Sequence, residues 1–171
     1  MMNVNFIAFG KLKERFFREA CEEYQKRLSA FAKVSVKELE PAFLPQNPSK
    51  TQIEAALEAE AAKLRAVCKG GFTIALCIEG KELSSEELSK KLENLAGGGS
   101  STLNFVVGSS FGLSENFKRE CGFRLSMSPM TFPHELARVM LFEQVYRAFS
   151  ISNNSKYHKV ISKNLLHGRF L

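Results

Sequence analysis

The chain has no tryptophan, only four cysteines, and no apolar run that approaches the roughly 18 residues a membrane span needs. Cys21, Cys68, Cys77 and Cys121 stand far apart without CxxC spacing. That pattern argues against a zinc site or a disulfide framework and fits the reduced thiols of a cytoplasmic protein. The opening Met1-Met-Asn-Val-Asn-Phe6 lacks a charged segment followed by a long apolar one, so no signal peptide is expected. There is no GxGxxG fingerprint, and no glycine turn ends in the Gly-Lys-Ser/Thr of a phosphate-binding P-loop. Internal repeats and low-complexity linkers are also missing. The expectations are a cytoplasmic protein with no membrane and no metal.

What is present describes an ordinary globular chain: 171 residues, 44% hydrophobic and 25% charged, enough for one domain with a sizeable core. The net charge is +6. Its cations cluster at Lys11, Lys13, Arg15 and Arg18, at Lys26, Arg27, Lys33 and Lys37, and at Lys156, Lys159, Lys163 and Arg169. A polyanion such as nucleic acid is the natural partner for such a surface. The plainer reading is that these charges solvate helix faces, since +6 falls short of a dedicated polyelectrolyte binder.

Periodicity divides the chain into alternating strands and helices. Residues 4–10 form a short apolar run closed by glycine, a first strand. Phe17, Cys21, Tyr24, Leu28 and Phe31 make an apolar stripe that predicts a helix over 14–31. A second strand is expected at 34–39, then a loop over 40–49 broken by Pro41, Pro45 and Pro48. Helical spacing returns from 52 to 67. The almost wholly apolar 72–78 reads as a strand covered on both faces, with a turn at Glu79-Gly-Lys81. Ser84 and Glu87 then open a helix as a capping box. Further strands are expected at 103–107 and 123–127, a short helix after Leu113, and a long helix over 133–150. Such alternation implies an α/β domain with a mostly parallel sheet.

In such sheets ligands sit beyond the carboxyl ends of the strands. Three turns qualify, after Ile78, after Val107 and after Met127. The turn Gly108-Ser-Ser-Phe-Gly112 would let a ligand approach the backbone, or would simply turn the chain. The segment Ser126-Met-Ser-Pro-Met-Thr-Phe-Pro-His134 is stiffened by two prolines, with Thr131 placed to cap the helix that His134 enters. Stiff loops between a strand and a helix are where binding and catalysis concentrate.

Taken together, several stretches resemble one family in order. They are Phe105-Val-Val-Gly-Ser-Ser-Phe-Gly-Leu113, Leu125-Ser-Met-Ser-Pro-Met-Thr-Phe-Pro-His-Glu-Leu-Ala-Arg138, Glu143-Gln-Val-Tyr-Arg-Ala-Phe149 and Tyr157-His-Lys159. The opening Ile7-Ala-Phe-Gly-Lys-Leu-Lys13 is similar too. The family is the ribosomal RNA large subunit methyltransferase H family of the SPOUT superfamily. The resemblance makes 1–159 a single SPOUT methyltransferase domain and leaves 160–171 as an extension of unassigned role.

The resemblance implies helices on both faces of a parallel sheet, and a C-terminal part that threads a trefoil knot. It implies an S-adenosyl-L-methionine site at a homodimer interface, and methylation of N3 of a pseudouridine in 23S rRNA within the ribosome. Carried over position by position, it assigns the cofactor to Leu76, Gly108, Met127, Ser128, Pro129, Met130, Thr131 and Phe132. Ser109 stands where the family usually has a second glycine, so either its φ stays negative or the turn is reshaped. Two other readings stay open: a non-catalytic ribosome-binding protein on the same fold, and a SPOUT methyltransferase acting on tRNA.

Methyl transfer to the imide N3 requires loss of its proton and stabilisation of the anion that develops. His134, Arg138, Arg147, Tyr157 and His158 are the candidates, with His134, Arg147, Tyr157 and His158 assigned to catalysis. Each also has a structural reading. His134 completes a helix start, and Arg147 lies four residues after Glu143, the spacing of a helical ion pair. Tyr157 and His158 belong to a polar tail, which the resemblance folds over the cofactor. Phe132, Met127 and Met130 read as packing rather than base stacking.

Overall fold

Strand β1 (Asn3–Phe9) explains why the sheet lies at the centre of the molecule. Successive side chains of a strand point to opposite faces. Val4, Phe6 and Ala8 are buried in one apolar cluster, while Ile7 and Phe9 are buried in another. A strand apolar on both sides needs cover on both sides. The computed structural model describes residues 1–155 and 157 of the chain. His158, assigned to catalysis above, and the extension over 160–171 lie outside the described residues.

The remaining elements are α1 (Arg15–Leu28), β2 (Lys33–Leu39), α2 (Lys50–Val67), β3 (Phe72–Glu82), α3 (Ser85–Gly97), β4 (Thr102–Val107), α4 (Glu115–Glu120), β5 (Phe123–Ser126) and α5 (His134–Ser152). The strands form one sheet in the order β2-β1-β4-β3-β5, and every pair is parallel. Leu28 of α1, Leu92 of α3, and Leu141 and Val145 of α5 fill the core on one face, where Phe6 stacks on Phe142. Ala61 and Leu64 of α2 and Phe117 of α4 fill the other. A hydrogen-bonded row fixes the register of three strands. Ser35 donates to Asn5 at 2.7 Å, and Asn5 donates to Asn104 at 2.8 Å.

Several boundaries differ from expectation, each for a local reason. Helix α1 stops at Leu28, because Ser29 donates its hydroxyl to Gln25 O and the chain tightens into the turn that feeds β2. Helix α2 begins two residues early, since Ser49 and Gln52 form a capping box, as Ser84 and Glu87 do for α3. Strand β3 does not end at Ile78. Leu76 and Lys81 both pair with Leu125, so residues 77–80 bulge out and the strand then resumes. Gly80 makes that close return possible: a Cβ there would lie 2.7 Å from the Leu125 carbonyl carbon. Helix α5 is capped by Pro133 with no side-chain hydrogen bond, so Thr131 is not the cap.

Candidate functional site

The sheet brings three chain exits to one level. Leu76 pairs with Val107 on one side and with Leu125 on the other. The bulge after Leu76, the turn after Val107 and the loop after Ser126 therefore leave adjacent strands side by side, at their carboxyl ends. Between them lies a cleft of about 830 Å³. Leu76, Gly108, Met127, Ser128, Met130, Thr131 and Phe132 line it, and so does His134 at the start of α5. Pro129 belongs to the same loop but is not part of the lining.

The turn over 108–112 closes on itself. Gly112 N donates to Ser109 O at 2.8 Å, and Gly112 has φ of +85°. A Cβ on Gly108 would sit 2.3 Å from Gly112 O, so no other residue fits there without opening the turn. Ser109 keeps a φ outside the positive region, which answers the question its side chain raised. Its hydroxyl instead donates to Glu60 of α2 at 2.8 Å.

The loop over 127–132 is shaped by its serines. Ser126 donates to Ser128 O at 3.1 Å, and the Ser128 hydroxyl accepts from Met130 N at 3.0 Å. Among the described residues no backbone–backbone hydrogen bond uses residues 128–132, so apart from Ser128 O and Met130 N their amides and carbonyls stay available to a ligand. Three large apolar side chains at the cleft are exposed: Ile78 (51%), Phe111 (48%) and Met130 (70%). Met130 is thus not a packing residue, contrary to the sequence reading. Apolar walls with open backbone groups suit a ligand that is partly an aromatic base and partly a zwitterion. S-adenosyl-L-methionine is of that kind, and the cleft volume is in the range of such pockets.

Sequence reasoning missed the charged end of the cleft. Lys118 is buried between Glu79 and Glu115, with Glu115 at 2.5 Å. Burial works against its ammonium charge, but the hydrogen bonds it donates to Glu115 and Glu79 outweigh it and raise its pKa. The Lys118 hydrogen bond holds the Glu79 carboxyl below its ordinary value. Glu79 and Lys118 are therefore both ionised through the neutral range. Only the position of Glu79 just past an apolar strand could have signalled it.

The other candidates are elsewhere. Arg138 is buried, donates to Gly10 O at 3.0 Å and pairs with Glu38 at 2.6 Å, so it ties α5 to the ends of β1 and β2. Arg147 pairs with Glu143 as its spacing suggested, at 2.9 Å from Nε, and its guanidinium lies 4.7 Å from the Tyr157 ring. Tyr157 donates to Glu143 at 3.0 Å. Burial, and then that carboxylate, push its phenol well above the ordinary range, so it acts as a neutral donor. His134 and Arg147 are 13 positions apart on α5, about 20 Å along its axis. The described chain thus places His134 at the cleft, and Arg147 and Tyr157 in a second group around Glu143. Among the described residues no cluster of three or more His, Cys, Asp or Glu could hold a metal, and no helix is long and apolar enough to cross a membrane.

Known proteins match this arrangement over nearly the whole chain. The family described as "Predicted SPOUT methyltransferase" matches residues 2–158. Ribosomal RNA large subunit methyltransferase H of Clostridioides difficile is 42% identical over 159 residues, covering 92% of this chain and all of that one. The same-named protein of Clostridium botulinum strain Eklund 17B is 45% identical with the same coverage. In fold, the chain is similar to a probable methylase family protein from Haemophilus influenzae, with a TM-score of 0.51 at 13% identity over 92% of this chain and 70% of that one. The chain belongs to the SPOUT methyltransferase family, among the ribosomal RNA large subunit methyltransferase H proteins.

Proposed function

We propose that the protein is an S-adenosyl-L-methionine-dependent methyltransferase of large-subunit ribosomal RNA, acting in the cytoplasm on N3 of a pseudouridine in 23S rRNA. The observation that carries this reading is the cleft where three strand-end turns meet, with His134 at its wall. When bound there, the cofactor supplies an electrophilic methyl carbon on a sulfonium sulfur. The loop over 127–132 would hold it through open backbone groups, and Leu76, Ile78 and Phe111 would pack its apolar parts. Gly108 and Gly112 keep the opposing wall low enough for a ligand to approach the backbone.

His134, which lines the cleft, would accept the N3 proton as general base. Arg147 would stabilise the anion left on the imide, its guanidinium held in place by Glu143 and the Tyr157 ring. One protomer cannot bring Arg147 and His134 to one nitrogen, as they sit about 20 Å apart on a single helix. The reading therefore requires a homodimer in which the partner's α5 completes the cleft, with the C-terminal threading that the family resemblance implies.

Calorimetry with S-adenosyl-L-methionine, followed by transfer of labelled methyl to ribosomes from a strain lacking this enzyme, tests the proposal. Folded protein with no cofactor affinity would sink it. Cofactor-independent binding to ribosomes without transfer favours a non-catalytic ribosome-binding protein, and transfer to tRNA alone moves the substrate.

A further inference from the structure

A second groove begins where the cofactor cleft ends. Glu79 and Lys118 line both, and from them the surface runs past Lys81, Arg119, Phe123 and Arg124 in a hollow of about 620 Å³. Lys81 and Phe123 also line the next hollow, of about 390 Å³, which reaches Lys90 and Lys91 on α3. The two hollows make one track along the β5 edge of the sheet. Its cations come from four elements: β3, α3, α4 and, through Arg124, β5.

The state of its arginines distinguishes this surface from the other basic clusters. Arg15, Arg27, Arg65, Arg138 and Arg147 all pair with carboxylates, and Arg18 donates to Leu12 O. Arg119 and Arg124 are the described arginines that make no ion pair or side-chain hydrogen bond, and both line this one groove. The carboxylates beside them are already engaged. Glu79 is held by Lys118, and Glu87 accepts from Ser84 N at 2.7 Å to cap α3. Lys91 lies over the Phe123 ring at 3.8 Å, so the groove floor is apolar while its rim is cationic.

A single charge on an exposed edge strand is ordinary protection against strand pairing. That account covers Arg124 but not Lys81, Lys90 or Arg119, which stand on other elements. We propose that this groove is a docking track for the sugar-phosphate backbone of RNA next to the nucleotide in the cleft. Arginine forks match phosphate oxygens in pairs, and unpaired cations converging on a groove are what phosphate neutralisation requires. The inference rests on the reading that RNA is the substrate, and it adds where the flanking strand lies.

The test uses the full chain and a fluorescein-labelled RNA hairpin, with affinity measured by anisotropy across a salt series. Arg119→Gln with Arg124→Gln is expected to lower the slope of log affinity against log salt by about 2, about 1 for each lost phosphate contact. Lys81→Gln with Lys90→Gln, read the same way, lowers it by a similar amount. Lys26→Gln with Lys33→Gln, at the end of α1 and the start of β2 by the amino-terminal end of the sheet, leaves it unchanged. Cofactor affinity by calorimetry stays at the wild-type value in all three. An unchanged slope in both groove variants overturns the inference while cofactor binding and methyl transfer by the wild type stand. A change of oligomeric state by light scattering, without a change of slope, overturns it in favour of a second copy of the chain on this edge.

Discussion

Ser109 donates its hydroxyl hydrogen to Glu60 across 2.8 Å, and this bond ties the glycine turn of the cleft to helix α2. Glu60 is only 4% exposed, and its other oxygen accepts from Ala42 N at 3.0 Å. One buried carboxylate therefore fixes both the proline-rich loop over 40–49 and the wall of the cleft. Ser109→Ala removes a hydrogen bond to a charged acceptor, worth about 1.5 kcal/mol. Ser109→Gly, which restores the usual glycine of the family, loses the same bond and adds backbone freedom in the unfolded chain. The expected order of urea midpoints is wild type, Ala, Gly. A glycine variant as stable as the wild type would show that the bond contributes nothing.

Gly108 is where sterics leave least room. A Cβ 2.3 Å from Gly112 O cannot be accommodated by a side-chain movement, because the contact is backbone against backbone. Gly108→Ala is expected to cost about 1–3 kcal/mol, as overpacking does, and to displace the turn that walls the cleft. Calorimetry should show cofactor affinity reduced at least tenfold in protein that still melts cooperatively. Wild-type affinity in that variant would remove the turn from the binding site.

Arg138 was a catalytic candidate by its spacing from His134, and the structure gives it a different task. Its guanidinium is buried against Glu38 and Gly10 O, away from the cleft lining. Arg138→Met leaves Glu38 and a carbonyl without their donor, which should cost about 3 kcal/mol. Denaturant melts measure that loss. At a temperature where the variant is folded, its cofactor affinity should match the wild type, whereas a catalytic or binding role predicts a loss there too.

The ion trio at the cleft makes stability depend on pH at both ends. Glu79 has a folded pKa below its ordinary 4.5, so its contribution is present above that value and is lost as pH falls through the folded pKa. Lys118 has a folded pKa above its ordinary 10.5, so its contribution is present below that value and is lost as pH rises through the folded pKa. Lys118→Met removes both slopes. Thermal midpoints of wild type and variant should therefore differ most at neutral pH and converge as pH falls below the ordinary 4.5 of Glu79 and rises above the ordinary 10.5 of Lys118. A constant difference across the range would mean that the Glu79–Lys118 pair does not set the pH dependence.

Which features the sequence revealed depends on how local their causes are. The capping box of Ser84 and Glu87 is a four-residue signal and was readable. That of Ser49 and Gln52 is the same signal hidden beside prolines. The bulge over 77–80 reads as a strand end because its pairing resumes on a strand more than 40 residues away. Glu60 looks like any charge on a helix until the fold buries it against Ala42 and Ser109. The cleft itself was foreshadowed by three strand-end turns, but the order that makes β4, β3 and β5 neighbours came only from the sheet. Arg119 and Arg124 belong to no sequence cluster at all; the track they line is a product of topology.

The separation of His134 from Arg147 along α5 makes the composite-site reading testable by mixing. His134→Ala removes the proposed proton acceptor, and Arg147→Gln removes the proposed anion stabiliser. Each homodimer carries the same defect at both sites, so each should lose at least a hundredfold in methyl transfer while still binding cofactor. In a mixed dimer with one copy of each variant, one cleft receives both substitutions and the other receives neither. Half of a randomly assorted population is mixed, with one intact site of two, so about a quarter of wild-type activity should return on co-expression. If both groups served one protomer's cleft, no pairing would unite an intact pair and no activity would return. Recovery near a quarter therefore supports Arg147 acting at the partner's nitrogen, whereas wild-type transfer by Arg147→Gln alone returns it to a purely structural pair with Glu143.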